Sequence, residues 1–137
     1  MPLPPYMNII ITSRPEPDYL LVESKGEIFT KDDLVRQSQL IYEEIIKYKA
    51  KKILVNEPDT RFPLELFPYY ELVKFYVNNF PPEMRLNKIA VVIAQEYEKI
   101  ARFWETVCNN RGFQYFAFTS FQEAHDWLLN ETPLTSK

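Results

Sequence analysis

Glycine is scarce: the 137 residues contain two glycines, Gly26 and Gly112, far apart in the sequence. Loops that cradle phosphate groups need several glycines, because their backbone N–H groups must approach the ligand closely. The sequence therefore excludes nucleotide binding through a glycine-rich loop.

Cysteine and histidine are scarcer still, with one residue of each, Cys108 and His125. A lone cysteine forms no internal disulfide, which is typical of proteins from the reducing cytosol. A lone histidine leaves a metal site without a second imidazole, and nothing in the sequence completes a hydrolase triad. We expect an inert core thiol, a partly exposed helical histidine, and a protein with no catalytic residue, metal or cofactor.

Clustered positive charge and long apolar runs are also missing. The formal net charge is −3, and no segment concentrates lysine and arginine enough for nucleic acid to be a partner. No apolar run is long enough to span a bilayer, and no N-terminal segment resembles a signal peptide. We therefore expect a cytoplasmic, non-enzymatic protein without a transmembrane segment.

The apolar residues instead form short runs and one-faced helical patterns that alternate along the chain. Apolar runs predict strands at residues 8–13, 19–24, 52–56, 89–94 and 113–118. Helical spacing predicts helices from Thr30 to Tyr48, at about 62–79, over residues 97–108 and from Ser120 onward. This ββαβαβαβα order predicts an α/β fold, with a single-layer, mixed, mostly parallel five-stranded sheet and helices packed on it. We predict one domain over residues 8–130, the 89–94 strand at the centre of its sheet, and tails at 1–7 and 131–137.

Local signals mark three helix ends. Thr30 precedes Asp33, and Ser120 precedes Glu123, at the spacing of a capping box. Gly112 follows the third helix, where a left-handed residue is common. The aromatic residues expected to bury the last two helices are Trp104, Phe121 and Trp127.

The region 62–79 is apolar on nearly every side, which departs from the one-faced pattern of the other helices. Pro68 indicates either a kink or a helix that begins near this residue, since proline lacks a backbone donor. Three explanations are open: scattered surface aromatics, a homodimer interface, or a lid over an apolar ligand or a membrane-facing gate. The candidate interface or lid residues are Leu64, Phe67, Tyr70, Phe75 and Tyr76.

Polar side chains follow the strand 52–56, in the loop GluProAspThrArg at 57–61. In open α/β sheets, ligands collect at the carboxyl ends of parallel strands. Asn56, Asp59, Thr60 and Arg61 are therefore a candidate polar site, and the alternative is that Asp59 or Thr60 caps the next helix.

Two segments, AsnLysIleAlaValValIle (87–93) and PheThrSerPheGlnGluAlaHisAspTrpLeu (118–128), resemble the SpoIIAA-like family in the same element order. The resemblance covers residues 8–130. It implies a STAS fold, also related to the CRAL-TRIO lipid-transfer fold, in a small cytosolic bacterial protein. Anti-anti-sigma factors of the wider STAS group carry an AspXaaSerGly loop with a phosphorylated serine. The corresponding loop here has neither serine nor glycine, and Thr60 is its only hydroxyl.

These features favour a non-enzymatic STAS-like binding or regulatory domain that works through protein–protein association, as a homodimer or with another protein partner. The first alternative is a carrier of a small apolar or lipid-like ligand, enclosed by residues 67–80. The second is an anti-sigma factor antagonist regulated at Thr60, since phosphate is favourable at a helix N-terminus.

Overall fold

The structure, a computed structural model, describes residues 9–130. Its strands are β1 (Ile10–Pro15), β2 (Leu20–Glu27), β3 (Lys52–Asn56), β4 (Thr60–Arg61), β5 (Lys88–Val92) and β6 (Gln114–Phe118). Its helices are α1 (Lys31–Tyr48), α2 (Phe67–Asn79), α3 (Glu98–Asn109) and α4 (Phe121–Leu129). Apart from β4 and two 3₁₀ turns at Pro82–Leu86 and Gln95–Tyr97, the order is the predicted one. Asn8 and the predicted tails lie outside the described residues.

The sheet has the strand order β1-β2-β3-β5-β6. The β1–β2 pair is antiparallel and the following pairs are parallel, which confirms the mixed, mostly parallel sheet. The prediction that the 89–94 strand is central was wrong, because each strand is added beside the previous one and β3 therefore takes the middle position.

The two faces of the sheet are covered unequally. Helices α1 and α3 pack on one face, with α2 between them, and we name this the three-helix face. Helix α4 packs alone on the other, here named the α4 face, against β3, β5 and β6. Alternate side chains of β3 show the division, since Ile53 and Val55 join the core of the three-helix face and Leu54 that of the α4 face.

Strand β2 runs three residues further than predicted, through the Lys25–Glu27 segment. Gly26 makes this possible, because it adopts φ +135°, a conformation that other residues rarely reach. The extension pairs in parallel with β4, in the register Gly26 with Thr60 and Glu27 with Arg61. The loop after β3 is thereby held against the sheet.

Helix ends follow the local signals in most cases. Thr30 and Asp33 form a complete capping box, whereas Ser120 accepts from the Glu123 N–H without the reciprocal bond. Gly112 has φ +88°, as expected of a residue that ends a helix.

Two expectations about helix positions need correction or refinement. Pro68 lies in the first turn of α2, which begins at Phe67, so the proline marks the start of the helix rather than a kink within it. Phe121 is exposed instead of buried, because the buried stripe of α4 starts one turn later, at Ala124.

Candidate functional site

A cavity of about 80 Å³ lies within the three-helix face, between the sheet and helices α1, α2 and α3. Six aromatic residues line it, together with aliphatic side chains from all three helices. They are Phe62, Tyr69, Tyr76, Tyr97, Trp104 and Tyr115. Wider depressions also occur, including one of about 580 Å³ beside the β1–β2 turn, whose border includes Glu16, Asp18, Lys51 and Lys52.

Glu57 supplies the one acidic side chain of this cavity lining. It follows the last residue of β3, and its N–H donates to the Val92 carbonyl at 2.9 Å, which continues the β3–β5 pairing by one residue. The residue is 5% exposed, and its Oε2 accepts from Nε2 of Gln37 at 3.2 Å. Burial raises the pKa of Glu57 from 4.5 to about 8, against the smaller opposing effect of the Gln37 hydrogen bond. At neutral pH the side chain is therefore mostly protonated.

A buried polar chain connects Glu57 to the edge of the sheet. Gln37 Nε2 also lies 3.1 Å from Ser24 Oγ, so one amide bridges α1, β2 and the end of β3. Thr60 Oγ1 donates to the Ser24 carbonyl at 2.8 Å. These bonds fix the orientation of the Gln37 amide, because a buried amide without partners is costly.

Two tyrosine hydroxyls anchor the opposite wall of the cavity. Ser38 Oγ and Tyr76 Oη lie 2.9 Å apart, which joins α1 to α2. Tyr69 Oη donates to the Pro63 carbonyl at 2.7 Å and so fastens the segment before α2. Burial raises the pKa of both phenols, which stay neutral.

A second cavity of about 60 Å³ lies on the far side of Tyr76 and Ser38, which line both. Its wall is more apolar and includes Cys108, which is buried as expected of a core thiol. Burial also raises the pKa of this thiol, so it is not a nucleophile at neutral pH.

The five residues predicted as an interface or lid are divided by the structure. Leu64, Phe67 and Tyr70 are exposed, at 67%, 69% and 47%. Phe75 is half-buried against Phe80, and Tyr76 points into the core, where it contacts Trp104. Tyr76 therefore differs from the three exposed residues, because its position on α2 faces the Ser38 side of α1.

The four residues of the predicted polar loop site do not converge on one point. Asn56 and Asp59 border a shallow depression on the sheet edge, and Arg61 is exposed. Thr60 is 1% exposed and belongs to strand β4. The expectation that Asp59 or Thr60 caps a helix was wrong, because six residues separate Thr60 from the start of α2 at Phe67.

The structure brings Glu57, not its predicted neighbours, into the cavity. Two signals in the sequence point toward it. Glu57 comes directly after an interior parallel strand, and Gln37 and Ser38 interrupt the apolar stripe of α1 with adjacent polar side chains. A polar pair on a core-facing stripe needs a buried partner, and Glu57 and Tyr76 are those partners.

Two other classes of site are absent from residues 9–130. Within this part of the chain, no group of three or more acidic, histidine or cysteine side chains is placed to hold a metal ion. None of the helices described there is long and apolar enough to cross a membrane.

Comparisons with known proteins place the fold. No protein-family model matches the sequence, and no curated protein is similar enough to count as a relative. Among solved structures, the chain is similar to an uncharacterised DUF3478-family protein from Shewanella loihica PV-4, described as having a SpoIIAA-like fold. The TM-score is 0.53 at 18% sequence identity, over 88% of this chain and 94% of that one. The chain therefore has the SpoIIAA-like, mixed α/β fold that the motifs at 87–93 and 118–128 indicated.

Proposed function

We propose that this STAS-like domain works by binding, without catalysis, and that it holds a small, largely apolar molecule in the cavity of the three-helix face. The observation that carries the proposal is a partly open cavity between the sheet and three helices, walled by six aromatic rings and containing the carboxyl of Glu57. Binding sites for small molecules are typically concave and lined mainly by apolar and aromatic side chains, with a few polar groups among them.

The segment from Phe62 to Tyr70 fits the role of a lid over this cavity. Phe62 and Tyr69 line the cavity from this segment, whereas Leu64, Phe67 and Tyr70 are exposed on its outer side. The hydrogen bond from Tyr69 to the Pro63 carbonyl lies within the segment itself. Ring contacts hold the segment to the rest of the protein, from Phe62 to Tyr97 and from Tyr70 to Phe103. Opening of the lid would have to separate these rings.

The absence of catalysis is part of the proposal and is supported by the state of the cavity groups. Glu57 is mostly protonated at neutral pH, and the Tyr69 and Tyr76 phenols are neutral and hydrogen-bonded. The Cys108 thiol next to the second cavity is also protonated. None of these groups is in the ionised form that a nucleophile requires.

Titration with 1-butanol tests this proposal, with amide NMR shifts of residues 57 and 76 as the readout. We expect saturable shifts at both residues in the natural protein. Ala101 lines the cavity, so Ala101→Leu should fill it and remove the shifts. Val77→Leu, which adds the same kind of bulk at an exposed position of α2, is the matched control and should keep them. Unsaturable or scattered shifts in the natural protein would contradict binding in the cavity.

Association with a second copy of this chain is the second candidate function. It is favoured by the exposed cluster of Leu64, Phe67 and Tyr70, since large apolar side chains gathered at one place mark interfaces. Sedimentation of Leu64→Glu with Phe67→Glu should then show a shift from dimer to monomer, because carboxylates buried in an interface without partners oppose association. A natural protein that already sediments as a monomer would exclude this candidate.

Regulation at Thr60 is not supported by the site. The hydroxyl is buried and donates to the Ser24 carbonyl, so a kinase would reach it only after β4 separates from β2. The third candidate, an anti-sigma factor antagonist, therefore has no observation in its favour.

A further inference from the structure

The cavity lining contains an acidic side chain and no basic one. Among the lining residues, all of which are described, the one acid is Glu57, and there is no lysine, arginine or histidine. The groups that set the pKa of Glu57 are burial and the Gln37 amide, and no cation is among them. The carboxyl thus lies in the core without a positively charged partner.

The remaining walls favour a positive ligand for a second reason. Aromatic rings carry negative charge density on their faces and attract cations, with Trp and Tyr the strongest. Trp104, Tyr76 and Tyr115 form one connected group, with ring centres 5.6 and 5.9 Å apart, on the side of the cavity formed by α2, α3 and β6. A buried carboxyl next to such rings matches an ammonium group in both charge and size.

An anionic or purely neutral ligand is less well matched. An anion would meet the carboxyl and the ring faces with no cation to balance it, at a large desolvation cost. A neutral molecule would fill the cavity, but Glu57 would stay protonated and would gain no charge-assisted hydrogen bond. A cation allows Glu57 to ionise inside the core and gives it a charge-assisted hydrogen bond.

The dimensions limit the ligand further. The cavity of about 80 Å³ holds an ammonium group with a few carbons. The second cavity, about 60 Å³, begins behind Tyr76 and Ser38 and has an apolar wall that includes Ile45, Met84 and Phe113. The two cavities are adjacent, since Ser38, Ile41, Tyr76 and Tyr115 line both.

We propose that the cavity binds a small alkylammonium ion, with its ammonium group on the Glu57 carboxylate and its alkyl chain among the aromatic rings. This inference rests on the proposed function, because it names the ligand class of the same cavity. Binding transfers the Glu57 proton to solvent, so the protein exchanges a buried neutral acid for a buried ion pair. The bound ligand itself remains protonated.

Because binding releases the Glu57 proton, the affinity for the ligand should depend on pH. The titratable groups that border Glu57 in the cavity are the phenols of Tyr69, Tyr76, Tyr97 and Tyr115. Burial raises the pKa values of Tyr69, Tyr76 and Tyr115, so these three phenols remain neutral across the window of interest. Since Glu57 has a pKa of about 8, the affinity for an alkylammonium ion should rise about tenfold per pH unit up to pH 8 and level off above it.

Calorimetric titration with three probes of equal length, butylammonium chloride, 1-butanol and sodium butyrate, tests the inference. We expect butylammonium to bind most tightly and to release nearly one proton at pH 6.5, measured from the dependence of the heat on buffer. Equal or tighter binding of butyrate, or an affinity for butylammonium that does not change between pH 6 and 8, would overturn it.

The matched variants are Glu57→Gln and Glu43→Gln. The first removes the buried carboxyl and should weaken butylammonium binding by about tenfold or more while 1-butanol still binds. The second removes an exposed carboxyl of α1 that does not line the cavity, and it should leave both affinities unchanged. Circular dichroism confirms that each variant is folded.

The two proposals fail in different ways. If 1-butanol binds in the cavity and butylammonium does not, the ligand class proposed here is wrong and the binding function stands. If none of the three probes binds to the natural protein, both are wrong.

Discussion

The two faces of the sheet differ in how closely their side chains pack. The α4 face is small and dense: the side chains between α4 and the sheet, among them Leu54, Ala90 and Leu128, have almost no exposure. The three-helix face is larger, contains two cavities, and buries Gln37 and Glu57 among its apolar residues. The α4 face is thus closely packed around apolar side chains, whereas the three-helix face leaves two cavities and accepts a buried acid, where we propose the binding site.

The most direct test of this difference in packing is to shorten a buried side chain on each face of the sheet. Leu128→Ala should lower the free energy of unfolding by about 3–4 kcal/mol, because the surrounding side chains fill all the space around a fully buried leucine. Leu72→Ala should cost less, about 2–3 kcal/mol, since Leu72 already borders the cavity and loses fewer contacts. Urea denaturation measures both, and a larger loss for Leu72→Ala would contradict the difference between the faces.

The second prediction concerns the buried acid. The pKa of Glu57 is raised in the folded state, so between about pH 4.5 and 8 the folded protein binds more protons than the unfolded chain. The contribution of Glu57 to stability is therefore full below pH 4.5 and is lost as the pH rises to 8, by about 4–5 kcal/mol in total.

Glu57→Gln isolates this contribution, because it keeps the shape of the side chain and removes the titration. Its unfolding free energy should decrease less between pH 5 and 8 than that of the natural protein, and it should be the more stable of the two at pH 8. Glu65→Gln, at an exposed position, is the control and should follow the natural profile. Parallel profiles for Glu57→Gln and the natural protein would show that the acid is solvated.

The smallest predicted difference lies between the helix N-termini of the two faces. Asp33→Ala should cost about 1–2 kcal/mol and Glu123→Ala close to nothing, because the Asp33 carboxylate accepts from the Thr30 N–H whereas the Glu123 side chain makes no such bond to Ser120. Thermal denaturation of the two single variants tests the order. An equal loss would mean that the reciprocal Asp33 bond adds nothing.

Much of the fold could be predicted because its signals are local. Apolar runs located the five long strands, helical spacing located the four helices, and Thr30 and Gly112 marked helix ends that the structure confirms. Each of these signals depends on residues a few positions apart, and none requires knowledge of a distant partner.

The candidate site was less predictable, because it is assembled from segments far apart in the sequence. Glu57 is buried only when α1 places Gln37 over the end of β3, twenty residues away. Strand β4 exists only when the extended end of β2 passes beside Thr60. The Tyr76 side chain points inward toward Ser38 of α1, and this partner cannot be identified from the sequence pattern of α2 alone. The sequence could identify these residues as candidates, but it could not show in which direction their side chains point.

The two tryptophans lie on opposite faces of the sheet, so tryptophan fluorescence can be used to observe the cavity. Trp104 lines the cavity, within 6.1 Å of the ring of Tyr69, whereas Trp127 lies on the opposite face of the sheet against Phe116 and Phe118. Replacing Trp127 with phenylalanine leaves a single indole, whose emission comes from the cavity alone. Changes in its wavelength or quenching would then follow the occupancy of the cavity in real time, without an attached dye.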